Sequence, residues 1–474
     1  MNEKTNIKKI GIVAILIYII IGVAFYFVGG EQLKFSESNS NESYYKAQST
    51  IGGITQQIEL KQEFLCDTDY IKAIKFKVGT YARKNNGNLY VSILDNDKKL
   101  FNQKLDISKL QDNSELYIDL KDEIRDMKGK KLSILIQNDI KDENNAITLY
   151  SEINKDDTNM YINNNLNEEK LAFSIVEKDE LWFGKNYWYM FIAGLLALIV
   201  YLLNLILREK HNKESKGINF IKTCQKYKFL MQQLVQRDFK TKYKRSVLGV
   251  LWSFLNPLLT MFVQYMVFST IFKSDIPNFP VYLLSGVVVF NFFTEACGMG
   301  LMSIVGNASL ITKVYMPKYI YPVSRVFSSV INLLLALIPL LIVMAITKTG
   351  FGLPLLLVPF GLICTIIFCI GMSLILSSAM VFFRDTQFLW NVVSLLWMYA
   401  TPLFYPESII PEKFSLIIKL NPMYHFIRFV RTCILNGVSP EPKAYLICII
   451  CSLLSLLVGL LIFKKTQDKF VLNI

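Results

Sequence analysis

Histidine is scarce in this chain, and a phosphate-binding glycine loop is missing. His211 and His425 are the two histidines in 474 residues, and they lie far apart without the spacing of metal ligands. The pairs Gly129-Lys130 and Gly184-Lys185 lack both the upstream glycine and the following Ser or Thr of a G-x-x-x-x-G-K-S/T loop. The sequence therefore predicts no metal site, no bound cofactor and no ATP-hydrolysing site in this chain.

Cysteine is too sparse in the polar part of the chain to build a disulfide framework. Of the eight cysteines, only Cys66 falls in a polar stretch that we expect to lie outside the membrane. The others lie in apolar segments, in a loop at membrane depth or in a basic stretch. A single cysteine cannot form a bridge within its own domain, so no disulfide is predicted.

Long apolar runs without charge dominate what is present. With 52% hydrophobic residues and a mean hydropathy of +0.35, the composition is typical of a polytopic membrane protein. The chain has 51 Lys+Arg against 38 Asp+Glu, a net charge of +13. These basic residues cluster beside the apolar runs, which indicates positive-inside topology rather than nucleic-acid binding.

The amino-terminal part is predicted to cross the membrane twice around a polar domain. Residues 1–30 contain an apolar run from Ile10 to Gly30, which fits a retained anchor better than a cleaved signal peptide because it is long and no A-x-A-like site follows it. The lysines before this run place its start in the cytosol. Residues 187–207 form a second apolar run that returns to a basic stretch, so residues 31–186 are expected to be extracytoplasmic.

The polar domain is expected to be an antiparallel β-sandwich. Apolar residues alternate with polar ones at 74–78, 89–93 and 132–136, and "NNGN" and "DNDKK" are typical of turns between strands. This pattern faintly resembles carbohydrate-binding modules, although unrelated functions share the architecture. Aromatic and amide side chains there suit sugar hydroxyls, and the candidates are Tyr81, Asn85, Asn86 and Tyr90.

The carboxy-terminal half is expected to be a helical membrane core. Residues 208–249 are strongly basic and contain an imperfect apolar stripe, which favours an amphipathic helix at the inner membrane surface over a plain cytosolic linker. Six more apolar segments follow within residues 250–474, giving about eight transmembrane helices in all and both termini in the cytosol. The external region 405–443 has apolar patches too short to span, so re-entrant helices broken at Pro406, Pro411 and Pro422 are expected there.

Three stretches in this half carry a family resemblance. "LVQRDFKTKYKRSVLGVLWSFLNPLLTMFV", "NASLITKVYMPKYIYPVSRV" and "LNPMYHFIRFVRTCILNG", followed by the terminal "FVLNI", resemble the permease subunits of type 2 ABC exporters that move lipid-linked polysaccharides such as O-antigen and teichoic acid. The resemblance covers residues 218–474, whereas the long amino-terminal part departs from that family. It implies a multi-pass permease of the bacterial cytoplasmic membrane.

The resemblance also implies partners and a place for the energy source. Two copies of the permease would form a homodimer, and two copies of a separate ATPase subunit would carry ATP and Mg. The loop after the second core segment would be a coupling helix that contacts this ATPase; a tight polar connection is the alternative. We expect Asn307 or Ser309 to cap the helix and Pro317 to end it. Its expected contact residues are Ser309, Leu310, Ile311, Lys313, Val314, Tyr315 and Met316.

Two further sets of residues are candidates for the transport path. Cations at the cytosolic mouth would attract the diphosphate of a lipid-linked substrate, although positive-inside topology explains their charge almost as well. These are Arg237, Lys240, Lys242, Lys244 and Arg245. Aromatic side chains along the core segments would let sugar rings slide, although such residues also pack helices and form interfacial belts. These are Tyr265, Phe268, Phe290, Phe292, Phe293, Trp390, Trp397 and Tyr399.

Other functions are distinguished by features of the same sequence. An exporter of small molecules or peptides is the nearest alternative. A membrane-anchored glycan sensor or scaffold would use the external domain but would not need six core segments. A membrane glycosyltransferase or polymerase would need a carboxylate cluster or a metal-binding Asp motif in a loop, and none is evident at convincing spacing. Glu295 and Arg325 lie within apolar segments, so each is either a residue of the path or part of an ion pair in the bundle.

Overall fold

The chain forms two compact units. A computed structural model describes residues 7–40, 47, 49–68, 70–96, 98–153, 158–211, 215–244, 249–271, 278–313, 316–349 and 351–473. One unit is Lys34–Lys185, and the other joins Met1–Leu33 to Asn186–Ile474.

The first unit is built from two antiparallel sheets. Its strands are β1 Phe35–Asn39, β2 Ser49–Thr50, β3 Leu60–Leu65, β4 Tyr70–Gly79, β5 Asn88–Asp95, β6 Lys98–Asp106, β7 Ser114–Arg125, β8 Lys131–Asn138, β9 Thr148–Ile153, β10 Met160–Ile162, β11 Asn165–Asn167, β12 Glu169–Leu171 and β13 Phe173–Glu180. One sheet has the order β1-β13-β4-β9-β12, with β7 paired to β4 and β2 to β9. The other has the order β11-β10-β3-β8-β5-β6.

Side chains from both sheets share one buried core. Ile74, Phe76 and Val78 of β4 belong to the same buried cluster as Val91 of β5 and Ile134 of β8. Since successive side chains of a strand point to opposite faces, burying one face of each sheet requires the alternation seen in the sequence. The predicted β-sandwich is confirmed.

The second unit is helical. Its helices, with the short α2 that ends the first unit, are α1 Ile7–Gly29, α2 Trp182–Lys185, α3 Tyr187–Lys210, α4 Lys216–Tyr243, α5 Leu251–Ile271, α6 Phe279–Leu301, α7 Ala308–Lys313, α8 Ile320–Ile346, α9 Val358–Phe382, α10 Thr386–Tyr399, α11 Glu412–Lys419, α12 Pro422–Leu435, α13 Pro442–Thr466 and α14 Phe470–Asn473. Among the described residues, seven helices are long and apolar enough to cross a membrane: α1, α3, α5, α6, α8, α9 and α13. A polytopic helical protein with an inserted sheet domain is thus confirmed.

The expected eighth span is shorter than predicted. α10 has 14 residues, a length of about 21 Å, whereas a hydrocarbon layer is about 30 Å thick. It stops at Tyr399 because Pro402 follows, and the residue before a proline disfavours helical backbone. The apolar run to Phe404 therefore continues as non-helical chain.

The region after α10 consists of short helices broken at prolines. Pro411 lies at the start of α11 and Pro422 is the first residue of α12. Arg431 of α12 is buried and donates hydrogen bonds to three backbone carbonyl oxygens, those of Pro402 (2.7 Å), Leu403 (2.9 Å) and Tyr282 (3.0 Å). Irregular backbone survives at membrane depth only when its polar groups find partners, and this guanidinium supplies them.

Helices α9 and α13 pack with almost no space between their backbones. A Cβ atom built on Gly371 would lie 2.3 Å from the backbone carbon of Ser455, and one built on Gly459 would lie 2.4 Å from the carbonyl oxygen of Gly371. Small residues allow such an approach between apolar helices. This contact fixes α13, the last long helix, against the core.

Candidate functional site

A buried carboxylate joins α4 to α8. Asp238 lies on α4, and its Oδ1 is 3.0 Å from Arg325 Nη1 and 3.1 Å from Arg237 Nη2. The Ser328 hydroxyl on α8 donates to Oδ2 at 3.3 Å. The Asp238 side chain is only 3% exposed, so its charge depends on these partners. The sequence left open whether Arg325 belongs to the path or to an ion pair in the bundle. In the structure Arg325 is a partner of Asp238 in this ion pair.

The same network reaches the segment that precedes α7. Arg237 Nη2 donates to Asn307 Oδ1 at 3.2 Å, and Asn307 Nδ2 donates to the Ser303 carbonyl at 2.7 Å. The prediction that Asn307 or Ser309 caps a helix is wrong, because Asn307 is committed to these two bonds and Ser309 lies inside α7. Asn307 instead connects the loop to α4.

A second ion pair lies one turn further along α4. Lys242 Nζ is 2.7 Å from Glu295 Oε1 on α6, and Asn332 Nδ2 on α8 donates to the same oxygen at 2.6 Å. This group borders a cavity of about 260 Å³ between α5, α6 and α8, which Trp252, Asn256, Asn291 and Phe292 also line. Polar side chains therefore meet aromatic rings inside an otherwise apolar bundle.

The predicted cytosolic cations fall into two groups. Arg237 and Lys242 pair with the carboxylates of Asp238 and Glu295, and the attraction of a lipid diphosphate by the predicted cations stays a prediction. Lys240 and Lys244 are exposed and line a hollow with Gln233 and Gln236. Arg245 lies outside the described residues.

The predicted coupling segment has one exposed side and one buried side. Ser309, Leu310 and Lys313 of α7 are exposed. Ile311 is buried in a cluster that includes Leu234 of α4, and Met316 packs against that cluster. Val314 and Tyr315 lie outside the described residues. The expectation that Ile311 meets a partner is wrong because the chain's own core covers it, whereas the half-buried Met316 stays a predicted contact.

The eight predicted aromatic residues do not form one continuous surface within the chain. Phe293 is fully buried, and its ring centroid lies 5.0 Å from that of Trp397, 5.6 Å from that of Phe290 and 5.8 Å from that of Trp390. These four rings pack helices together within the chain, and their place along a path between two copies stays a prediction. The rest are Phe292, which lines the cavity; Phe268, stacked on Phe404; and the exposed Tyr265 and Tyr399.

The candidate sugar-binding residues of the sandwich also differ in exposure. Asn85 is buried, and its Nδ2 donates to the carbonyls of Thr80 and Ala146, so its role is structural and its prediction as a sugar contact is wrong. Tyr81 and Asn86 are exposed in the loop between β4 and β5, and Tyr90 is half-buried on β5.

An aspartate holds the start of this loop. The backbone N–H of Thr80 donates to Asp112 Oδ1 at 2.5 Å, which lowers the pKa of the Asp112 carboxyl because the charged form accepts the bond. Tyr81 follows directly with a φ of 57°, a conformation uncommon for a residue other than glycine. The loop geometry therefore presents Tyr81 outward.

The seven long apolar helices of the described residues define a polytopic helical membrane protein. The chain belongs to the ABC-2 type transporter family, whose model matches residues 230–435. It is 32% identical over 248 residues to the O-antigen export system permease protein RfbA of Klebsiella pneumoniae, which covers 51% of this chain and 93% of that protein.

Two further similarities fall on about the same half. RfbA of Myxococcus xanthus is 30% identical over 260 residues, 54% of this chain and 100% of that protein. The polysialic acid transport protein KpsM of Escherichia coli is 21% identical over 250 residues, 51% of this chain and 95% of that protein. The predicted family is therefore confirmed.

The features missed by sequence reasoning are pairings between distant positions. Asp238 and Arg325 are 87 residues apart, and Tyr282 and Arg431 are 149 apart. The available signal was a charge inside or beside an apolar segment, which indicates a partner without identifying it.

Proposed function

We propose that this chain is the permease of an ATP-driven exporter that moves a lipid-linked polysaccharide, of the O-antigen or teichoic-acid type, across the bacterial cytoplasmic membrane. Similarity to RfbA over nearly its whole length carries this proposal, since that protein is named as an O-antigen export permease. In this account two copies of the chain form a homodimer that binds two copies of an ATPase. ATP and Mg bind to that partner.

The orientation follows from charge. In this proposal both termini lie in the cytosol, and the basic residues of α4 and the lysines at the end of α13 support this because they lie beside apolar helices. The sandwich of residues 31–186 is then extracytoplasmic, where it would meet the emerging glycan. Tyr81 and Asn86 are the exposed candidates for that contact.

The geometry supports a route from the ATPase to the path. The exposed side of α7 is available to a partner, and its buried side packs against α4 through Ile311 and Leu234. The bond from Arg237 to Asn307 ties α4 to the same loop, and the pair Asp238 and Arg325 ties α4 to α8. A displacement of α7 would therefore move α4, which bears Lys240 and ends directly before Lys244, at the cytosolic mouth.

Deletion of the gene tests this function in cells. We expect cells without the chain to keep synthesising the glycan but to accumulate it on the cytosolic side, because its lipid carrier cannot cross unaided. Surface glycan, measured with a lectin or antibody on intact and permeabilised cells, should fall at least tenfold and return with the plasmid-borne gene. Normal surface glycan in the deletion strain would contradict the proposal, whereas loss of a secreted peptide or small molecule would favour that alternative.

A further inference from the structure

Exposed amides on two apolar helices mark a second feature of the core. Asn256 of α5 and Asn291 of α6 are exposed, although both lie within helices apolar enough to span a membrane. An amide facing lipid hydrocarbon would lose its hydrogen bonds to water, so polar residues at this depth face a cavity or another protein surface. Both asparagines line the cavity that Glu295 borders.

The cavity has the chemistry of a sugar site. Trp252 offers an exposed aromatic face, on which the apolar face of a pyranose ring packs. Asn256 and Asn291 each offer an amide donor and a carbonyl acceptor, and the Glu295 carboxylate offers acceptors. At about 260 Å³ the cavity is close to the lower limit of small-molecule pockets, which gives room for one sugar ring rather than a chain.

The position of the cavity selects which sugar of the substrate it would hold. Lys242 and Glu295 line it, and both also line an adjoining hollow together with Arg237 and Thr241. A diphosphate bound by the cations of that adjoining hollow would place the next group of a lipid-linked glycan beside the cavity. Glu295 holds the Lys242 ammonium at this border, and Asn332 donates a hydrogen bond to the same Glu295 oxygen.

We propose that this cavity binds the sugar residue attached directly to the lipid diphosphate, with Asn256 and Asn291 as hydrogen-bonding residues and Trp252 as the stacking surface. The inference rests on the proposed export of a lipid-linked polysaccharide. It gives the permease a preference for carriers that bear a sugar over the bare lipid diphosphate. With this preference, the bare lipid diphosphate would not compete with the glycosylated carrier for the transport path.

Two probes that differ by one sugar test this preference. Full-length protein in lipid nanodiscs is titrated with a C15 polyprenyl diphosphate and with the same lipid bearing one N-acetylhexosamine or one hexose, and tryptophan fluorescence reports binding. We expect at least one glycosylated probe to bind about tenfold more tightly than the bare lipid, because two amide contacts are gained. Asn256→Ala with Asn291→Ala should abolish that difference while leaving affinity for the bare lipid unchanged.

Asn391→Ala is the matched control, since Asn391 is an exposed asparagine of an apolar helix that does not line the cavity. It should keep the preference for the glycosylated probe. Equal affinities of the wild-type protein for all probes, or a preference that survives the double substitution, would overturn the inference alone. Loss of the dimer in the double variant, seen by size-exclusion chromatography with unchanged preference, would assign the amides to a subunit interface. Failure of every lipid diphosphate to bind would contradict the proposed function as well.

Discussion

Asp238→Ala is expected to abolish export and to lower the thermal stability of the membrane unit. The carboxylate is buried between Arg325 and Arg237, so its removal leaves a largely buried guanidinium without a counter-ion. Breaking a buried pair costs about 3–5 kcal/mol, and partial exposure of both arginines reduces the expected loss to about 2 kcal/mol. Export in cells and the Tm of the purified protein measure the two effects.

A control and a double variant separate charge from general damage. Asp385→Ala removes an exposed aspartate at the start of α10 that makes no capping hydrogen bond, and it should leave both measurements near wild type. Asp238→Asn combined with Arg325→Gln removes both charges and should be more stable than Asp238→Asn alone. If the two substitutions simply add, the ion pair does not join α4 to α8 as we describe.

Leu310→Asp with Lys313→Glu is expected to release the ATPase from the permease. These side chains form the exposed side of α7, where a buried leucine contact and a charge pair with the partner would be lost together. Removing an interface hot spot costs about 2 kcal/mol or more, which corresponds to about thirtyfold in affinity. Co-purification of the ATPase and surface glycan should fall together, while the level of inserted permease stays unchanged.

Two other substitutions of an aliphatic residue by aspartate show whether the loss of ATPase association is specific to the exposed side of α7. Leu416→Asp alters an exposed leucine of α11, in the region predicted to be external, and should not weaken ATPase association. Ile311→Asp puts a charge into the buried cluster with Leu234, so we expect poor insertion and a low Tm rather than selective uncoupling. Full ATPase association in the Leu310 and Lys313 variant would remove α7 from the coupling route.

Sequence periodicity predicted faces but could not predict which faces meet. The alternation around Ile74 and Val91 fixed two half-buried strands, because only one face of each strand can point into the core. For α7 the apolar residues Leu310 and Ile311 look equivalent in the sequence. Their difference arises because α4 covers one side of the short helix and leaves the other open.

Buried charges were harder to interpret than strands. Arg431 read as a basic residue in an external loop, yet it bonds to carbonyls exposed by the break after α10. The aromatic residues near Phe293 were consistent both with a path and with packing, and their mutual distances show how they pack within the chain. Such contacts depend on the tertiary fold, and the spacing of residues along the sequence does not predict them.

Transport by purified components tests the central claim most directly. The chain and its ATPase are reconstituted together in proteoliposomes, and the transfer of a lipid-linked polysaccharide to the opposite leaflet is followed by its accessibility to a glycosidase. We expect transfer only with both proteins and hydrolysable MgATP, and no ATP hydrolysis by the chain alone. Hydrolysis by the rigorously purified chain, or ATP hydrolysis by the assembled pair without any transfer of the glycan, would contradict this account.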